Sequence, residues 1–367
     1  MNNSRSQNPT DKKNEGRAPR PNTKLRIFVI LLAILFIAFE FSANYHLNYY
    51  SVAPGGTAAV EGQISIKSPN VAAIKGRIDL VYVDEAPVTL LDYPFDKVKS
   101  HTKLYPTNAI AATPTGVLSD QAVISQNAWY QATSQIAAQV AALNQLGYNI
   151  KEDSSGAPIG WVDPTAPGAK VLAEGDVITA VDNFQTPTVE SLISQVQHFK
   201  PGQTILLTIR KAASGKTVEA SIKLAAQGSG NQKLPYIGIG LAPRYSIPLT
   251  INISDLVDGQ ALGGPSAGLS YALTIVDMLS GGNLTHGVNI ACTGTIAPDG
   301  SVGPIGGLEE KTISVLNSGD SVFFVPAGES PQSVSISKKE AGSKLKIYIV
   351  SSLQQVLTIL KSLPTSK

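Results

Sequence analysis

Apolar and polar positions are distributed very unevenly along the chain. Residues 1–24 are polar, rich in Asn, Lys, Arg and Pro, and carry no apolar period, which predicts a disordered tail. The stretch "LRIFVILLAILFIAFEFSA", Leu25 to Ala43, then holds no charge between Ile27 and Phe39. Its length approaches the ~20 residues that cross a bilayer. Lys24, Arg26 and the basic residues before them predict a cytosolic N-terminus and an extracytoplasmic remainder. A cleaved signal peptide is the rival reading. Against it, Phe41 occupies the small-residue position two before Ala43, and the basic region is unusually long.

Residues 44–56, "NYHLNYYSVAPGG", read as a juxtamembrane linker whose Tyr45, Tyr49 and Tyr50 suit a membrane interface. Residues 57–147 begin as short β-like runs such as "RIDLVYVDEA", broken by Pro and Gly. They end in an Ala-rich helical pattern from Ser119 to the stop at Gly147, with Ser119 or Asp120 as the candidate cap. Over 148–227 the period changes again. "AEGDVITAVDN" predicts a turn into a strand, "TVESLISQVQHF" a helix capped by Thr188, and "TILLTIRKAASGKTVEASIKL" a hairpin around Ser214-Gly215. From 235 to 363, strand-like runs ("YIGIGLAP", "GVNIACTGTIA", "SVFFVPA") alternate with helix-like ones ("AGLSYALTIVDMLS", "GGLEEKTISVLNSG"). The fold class expected is therefore α+β or α/β, in several domains.

Composition narrows the functional classes. The chain has 367 residues, 43% of them hydrophobic, enough for more than one core. A net charge of +2, without basic–aromatic interleaving, offers no footprint for nucleic acid. The single cysteine, Cys292, lies in an apolar run and reads as core, so neither an internal disulfide nor a cysteine metal site is expected. No metal or other cofactor is implied. "GKT" at 215–217 lacks the earlier glycine of a phosphate loop, since position 210 is Arg, and it falls in a β-turn.

The chemistry concentrates in two segments, "LGGPSAGLSYALTIVDMLSGG" (262–282) and "TGTIAPDGSVGPIGGLEEK" (293–311). Ser266 precedes an apolar helix, and two glycines and a proline crowd its approach. It reads either as a helix cap or as a nucleophile. A serine hydroxyl needs a base, and lysine can be one only when burial keeps it neutral. Helical spacing puts Lys311 on one face with Leu308 and Val315, a buried stripe where lysine is rare. Glu309 and Glu310 are expected to point elsewhere. The free N–H groups at a helix start suit an oxyanion, which makes Gly264, Pro265 and Ala267 candidate backbone contacts to substrate. Asp255 and Asp258 are weaker candidates for lining the site. Asp299-Gly300 reads as a hairpin turn, Tyr271, Met278 and Leu279 as helix core, and Trp161 as core of its own domain. His46, His101, His198 and His286 fall in linker or turn settings, outside any triad motif.

Both regions resemble known families. Residues 148–227, through "GWVDPTAPGAKVLAEGDVITAVDNFQTPTVESLISQV" and "KPGQTILLTIRK", resemble a PDZ domain. This implies binding of extended peptides by strand addition, with "LGYNI" (146–150) the suggested carboxylate loop. "GGPSAG" and "TGTIAPDGSVGPIGGLEEK" resemble the proteolytic domain of Lon-type serine proteases. That resemblance implies Ser266 as nucleophile, Lys311 as base and Thr293 as the hydroxyl that positions the lysine amine. Many such proteases carry Asp where this chain has Gly263. With the N-terminal anchor, the order resembles membrane-anchored PDZ-containing Lon-like proteases of Gram-positive bacteria. The expectation is an ATP-independent endopeptidase of extracytoplasmic or membrane-proximal proteins, its PDZ domain helping to select protein or peptide substrates. Oligomerisation is compatible with this. The alternative is a PDZ adaptor with an inactive Lon-like body.

Overall fold

The structure, a computed structural model, describes residues 23–228, 230 and 233–364; the expected tail, apart from Thr23 and Lys24, lies outside them. The apolar stretch forms one helix, Thr23–Asn44, of 22 residues with no buried residue. By length and composition it can cross a membrane.

The main body is built on a mixed sheet of six strands. Their order is Lys346–Val350, Val322–Pro326, Asn289–Cys292, Arg77–Thr89, His46–Ala59 and Lys103–Pro106. The first four run parallel and the last two pairings are antiparallel. Side chains alternate between faces, as the pleat requires. Ile290, Cys292, Val322 and Phe324 face a core shared with the helices Asp120–Gln145, Gly268–Leu279 and Leu353–Leu360. Ala291, Phe323 and Val325 face a second core under the helices Leu308–Ser318 and Pro331–Ala341.

Two expectations change here. The supposed linker over 44–56 is largely strand His46–Ala59, which pairs with Arg77–Thr89 through a bulge at Pro54–Gly56. The breakers "PGG" are tolerated because Tyr82 lies across them: a Cβ on Gly55 or Gly56 would come within 2.6 or 2.8 Å of its ring and hydroxyl. The region 57–147 is also not a separate layer. Its strands Arg77–Thr89 and Lys103–Pro106 complete the six-stranded sheet, and its long helix packs on Gly268–Leu279.

A second sheet holds Thr217–Lys223, Thr204–Arg210, Val177–Val181, Ala157–Val162 and Ile239–Leu241 in that order, with Phe184–Gln185 alongside Val177–Val181. The helix Val189–Gln197 closes its core through Leu192 and Val196, and Thr188 and Ser191 cap it reciprocally. The "GKT" segment is the turn between two strands, with Gly215 at φ 66°. "YIGIGL", expected in the last domain, instead supplies the edge strand Ile239–Leu241, paired with Ala157–Val162. "LGYNI" does not reach this sheet. Leu146 and Ile150 pack into the main core, and Tyr148 N–H closes the end of the long helix on Leu143 O.

Candidate active site

The helix Gly268–Leu279 is buried along its whole length to Met278, because the sheet covers one side and Asp120–Gln145 the other. Its start carries Ser266. The cap residue is Ala267, which makes no side-chain cap bond, so Ser266 is not the cap. Its hydroxyl faces the opposite helix, where Lys311 Nζ lies 2.6 Å from Ser266 Oγ.

Lys311 stands in the first turn of Leu308–Ser318, whose cap Gly307 adopts the left-handed conformation at φ 67°. It is 2% exposed, between buried Leu308 and Val315, as the helical spacing predicts. Desolvation lowers its pKa from the ordinary 10.5 to about 7, while the charge of Glu329 opposes the shift. A cation near a helix N-terminus also meets an unfavourable dipole. Glu309 and Glu310 turn away and pair with Lys103 from the edge strand; Glu310 is itself buried.

Thr293, fully buried at the end of strand Asn289–Cys292, joins the two residues. Lys311 Nζ donates to Thr293 Oγ1 at 3.3 Å, and the Thr293 hydroxyl donates to the Ser266 carbonyl at 3.2 Å. Gly294 N–H donates to the same carbonyl at 2.8 Å. Thr293 therefore spends its proton on the loop and offers a lone pair to the amine.

The long helix Asp120–Gln145 fixes the rest of the loop, a role its sequence does not announce. Asn127 O accepts Gly264 N–H at 2.9 Å, and Ser134 Oγ donates to Pro265 O at 3.0 Å. A Cβ on Gly263 would approach Asn127 Cβ to 2.9 Å, so the helix fills the space an aspartate would need there. Gly268 lets the two helices close up, since a Cβ there would meet Ser134 Oγ at 2.7 Å. Of the expected backbone contacts, Gly264 has its N–H engaged and Pro265 has none to give. The N–H groups of Ser266 and Ala267 have no backbone acceptor among the described residues. They are the donors left uncommitted at the start of this helix.

The same helix seats the second sheet. Trp129 stacks on Trp161 with centroids 6.1 Å apart, covers Gly160 and Gly240, and donates Nε1–H to Leu241 O at 3.2 Å. Trp161 is thus buried between the two units, with Ala111, Leu118 and Val123, rather than inside its own core. Neither Asp255 nor Asp258 bonds Ser266, Thr293 or Lys311 through its carboxylate. Asp258 is a turn residue at φ 51° in the hairpin ahead of the loop. Asp299-Gly300 forms the turn between Thr295–Ile296 and Val302–Gly303. Cys292 is fully buried. No histidine touches the serine; His46, for one, lies 3.3 Å from Asp120.

Residues 259–362 match the Lon protease (S16) C-terminal proteolytic domain family, and residues 144–224 match the PDZ domain family. The chain is 37% identical over 93 residues to the Lon protease of Mesomycoplasma hyopneumoniae, covering 25% of this chain and 10% of that protein. It is 30% identical over 141 residues to the Lon protease of Malacoplasma penetrans, covering 38% of this chain and 17% of that one. The chain therefore spans only 10% to 17% of the length of these curated relatives. Among solved structures, the PDZ domain of an SdrC-like protein from Listeria monocytogenes is 30% identical over 24% of this chain and 87% of that one, with a TM-score of 0.22. The chain carries a PDZ domain followed by a Lon-type proteolytic domain.

Proposed function

We propose that the chain is a membrane-anchored serine endopeptidase that works without ATP, with Ser266 as nucleophile and Lys311 as general base. The observation that carries this reading is the 2.6 Å approach of a buried lysine amine to the Ser266 hydroxyl. Lys311, neutral, takes the Ser266 proton as Oγ attacks a peptide carbonyl. The Ser266 and Ala267 N–H groups receive the developing oxyanion. The lysine returns the proton to the leaving amine, and water hydrolyses the acyl-enzyme. Thr293 orients the amine and touches no substrate.

The PDZ domain holds extended segments of protein substrates away from the scissile bond, by strand addition. Anchoring by Thr23–Asn44, N-terminus in the cytosol, places both domains outside the cell, so the substrates are extracytoplasmic or membrane-proximal chains. The test is hydrolysis of an unfolded protein by the full chain and by Ser266→Ala and Lys311→Ala. Each variant should lose activity with its melting transition intact. Retention of more than a small fraction of the rate by Lys311→Ala removes the base assignment.

A further inference from the structure

The loop after strand Arg77–Thr89 is bonded directly to the end of the apolar helix. Leu91 N–H donates to Ser42 O at 3.0 Å, and Leu90 N–H donates to Tyr45 O at 2.9 Å. No spacer separates helix from body, since the helix ends at Asn44 and strand His46–Ala59 follows at once. The position of the loop relative to the helix is therefore fixed by the main sheet.

That loop is apolar where it is most exposed. It passes through a single helical turn, Tyr93–Asp96, and presents Phe95 at 66% and Val98 at 81% exposure, with Leu90 also exposed. Aromatic rings gather around it. Tyr49 lies 5.9 Å from Tyr93, and Phe41 stacks on Tyr45 at 5.2 Å. Lys97 sits over the Tyr93 ring at 5.8 Å. Exposed apolar side chains are ordinary when scattered singly. Here they cluster beside the end of a helix of 22 residues, about 33 Å long, against a hydrocarbon core of about 30 Å. Ser42 to Tyr45 then stand at headgroup level, where tyrosine concentrates. A loop bonded to both carbonyls stands at the same level.

We propose that Leu90–His101 is a second membrane contact. Phe95 and Val98 insert at the headgroup–acyl boundary of the leaflet from which the helix emerges, and Lys97 and Lys99 snorkel toward the phosphates. The proposal rests on reading Thr23–Asn44 as a membrane span. Asp92 and Asp96 balance the two lysines, so apolar insertion, not attraction to anionic lipid, holds the loop. Two contacts joined by one sheet fix the tilt of the proteolytic domain over the bilayer, where a span alone would leave it free to swing.

Cys292 is fully buried, so single cysteines elsewhere can be labelled selectively. The full chain carrying Phe95→Cys, Val98→Cys or, as control, Val218→Cys on the outer hairpin of the PDZ sheet is labelled with an environment-sensitive fluorophore. It is then reconstituted in phosphatidylcholine vesicles with or without lipid bearing a shallow nitroxide. Alkaline carbonate extraction is run on the same vesicles. The proposal expects protein that resists extraction, quenching of at least about twofold at positions 95 and 98, and none at 218. Resistance to extraction with positions 95 and 98 as unquenched as 218 overturns the second contact and leaves the span standing. Release by carbonate overturns the span and the proposal together.

Discussion

Replacing Lys311 with Met should make the protein more stable, and the gain should shrink as pH rises. Met nearly matches lysine in length and volume and carries no charge, so it fits the same slot between Leu308 and Val315. In the fold the lysine pKa falls from 10.5 to about 7 because the amine is desolvated. At about 1.4 kcal/mol per pH unit, the native state therefore disfavours the ammonium by about 5 kcal/mol. Below pH 7 the lysine is protonated in both states and this cost is fully present. Between about 7 and 10.5 the unfolded chain holds the proton and the folded one does not, so wild-type stability rises with pH across that window. Met also forfeits the hydrogen bonds to Ser266 and Thr293, worth about 1 kcal/mol each. The net gain should be about 3 kcal/mol at pH 6 and should vanish or reverse near pH 10. Urea unfolding of both full chains in the same detergent, at pH 6, 8 and 10, reads this difference directly, since the two chains share every other titrating group and, of these, Glu329 is the one that acts on the Lys311 charge. A Lys311→Met protein that is less stable than wild type at pH 6, or a difference that does not change with pH, would refute the claim of a buried, depressed lysine.

The same proton sets the rate: hydrolysis of a short peptide should rise with pH through a midpoint near 7 and fall below it, and the limb should survive replacement of each of the four histidines. Thr293→Val, which removes the hydroxyl between Lys311 Nζ and the Ser266 carbonyl, should cost about 10- to 100-fold in kcat with KM little changed; a loss as complete as that of Ser266→Ala in a folded protein would make Thr293 a reacting group. Trp129→Ala, which uncovers Gly160 and Gly240 and removes the stack on Trp161, should cost about 2–3 kcal/mol and open the connections around the PDZ sheet to limited proteolysis; unchanged protection would mean that the two units hold together without it.

The residues of the candidate site were legible because they sit in short, ordered motifs. Ser266 and Lys311 could be named from two segments, Thr293 only through their resemblance to Lon-type proteases, and the period of 3.6 put Lys311 on the face of Leu308 and Val315. What joins those motifs to the rest of the molecule was not legible, because it is long-range pairing. Strand character in "YIGIGL" is local, but its partner, Ala157–Val162, lies some eighty positions earlier and belongs to the other sheet. "APGG" reads as a linker until Tyr82 is seen to cover its glycines. The Ala-rich helix after Ser119 was visible as a helix, and of its two candidate caps, Ser119 and Asp120, the structure uses Ser119. That Asn127 and Ser134 grip the serine loop through main-chain carbonyls and a hydroxyl leaves no pattern in sequence, since a backbone acceptor is the same for every residue type. Gly263 shows the difference most plainly. In sequence it is a missing aspartate; in the fold it is the gap that Asn127 fills.

The central claim, that Ser266 is made nucleophilic by Lys311, is tested most directly by trapping the acyl-enzyme. The full chain is mixed with an activated peptide ester, quenched in acid within a turnover, digested and read by mass spectrometry. The account predicts one acyl group, on Ser266, forming with a pH midpoint near 7 and absent in Lys311→Met. An acyl group on another residue, or one that forms on Ser266 equally fast in Lys311→Met, would contradict it.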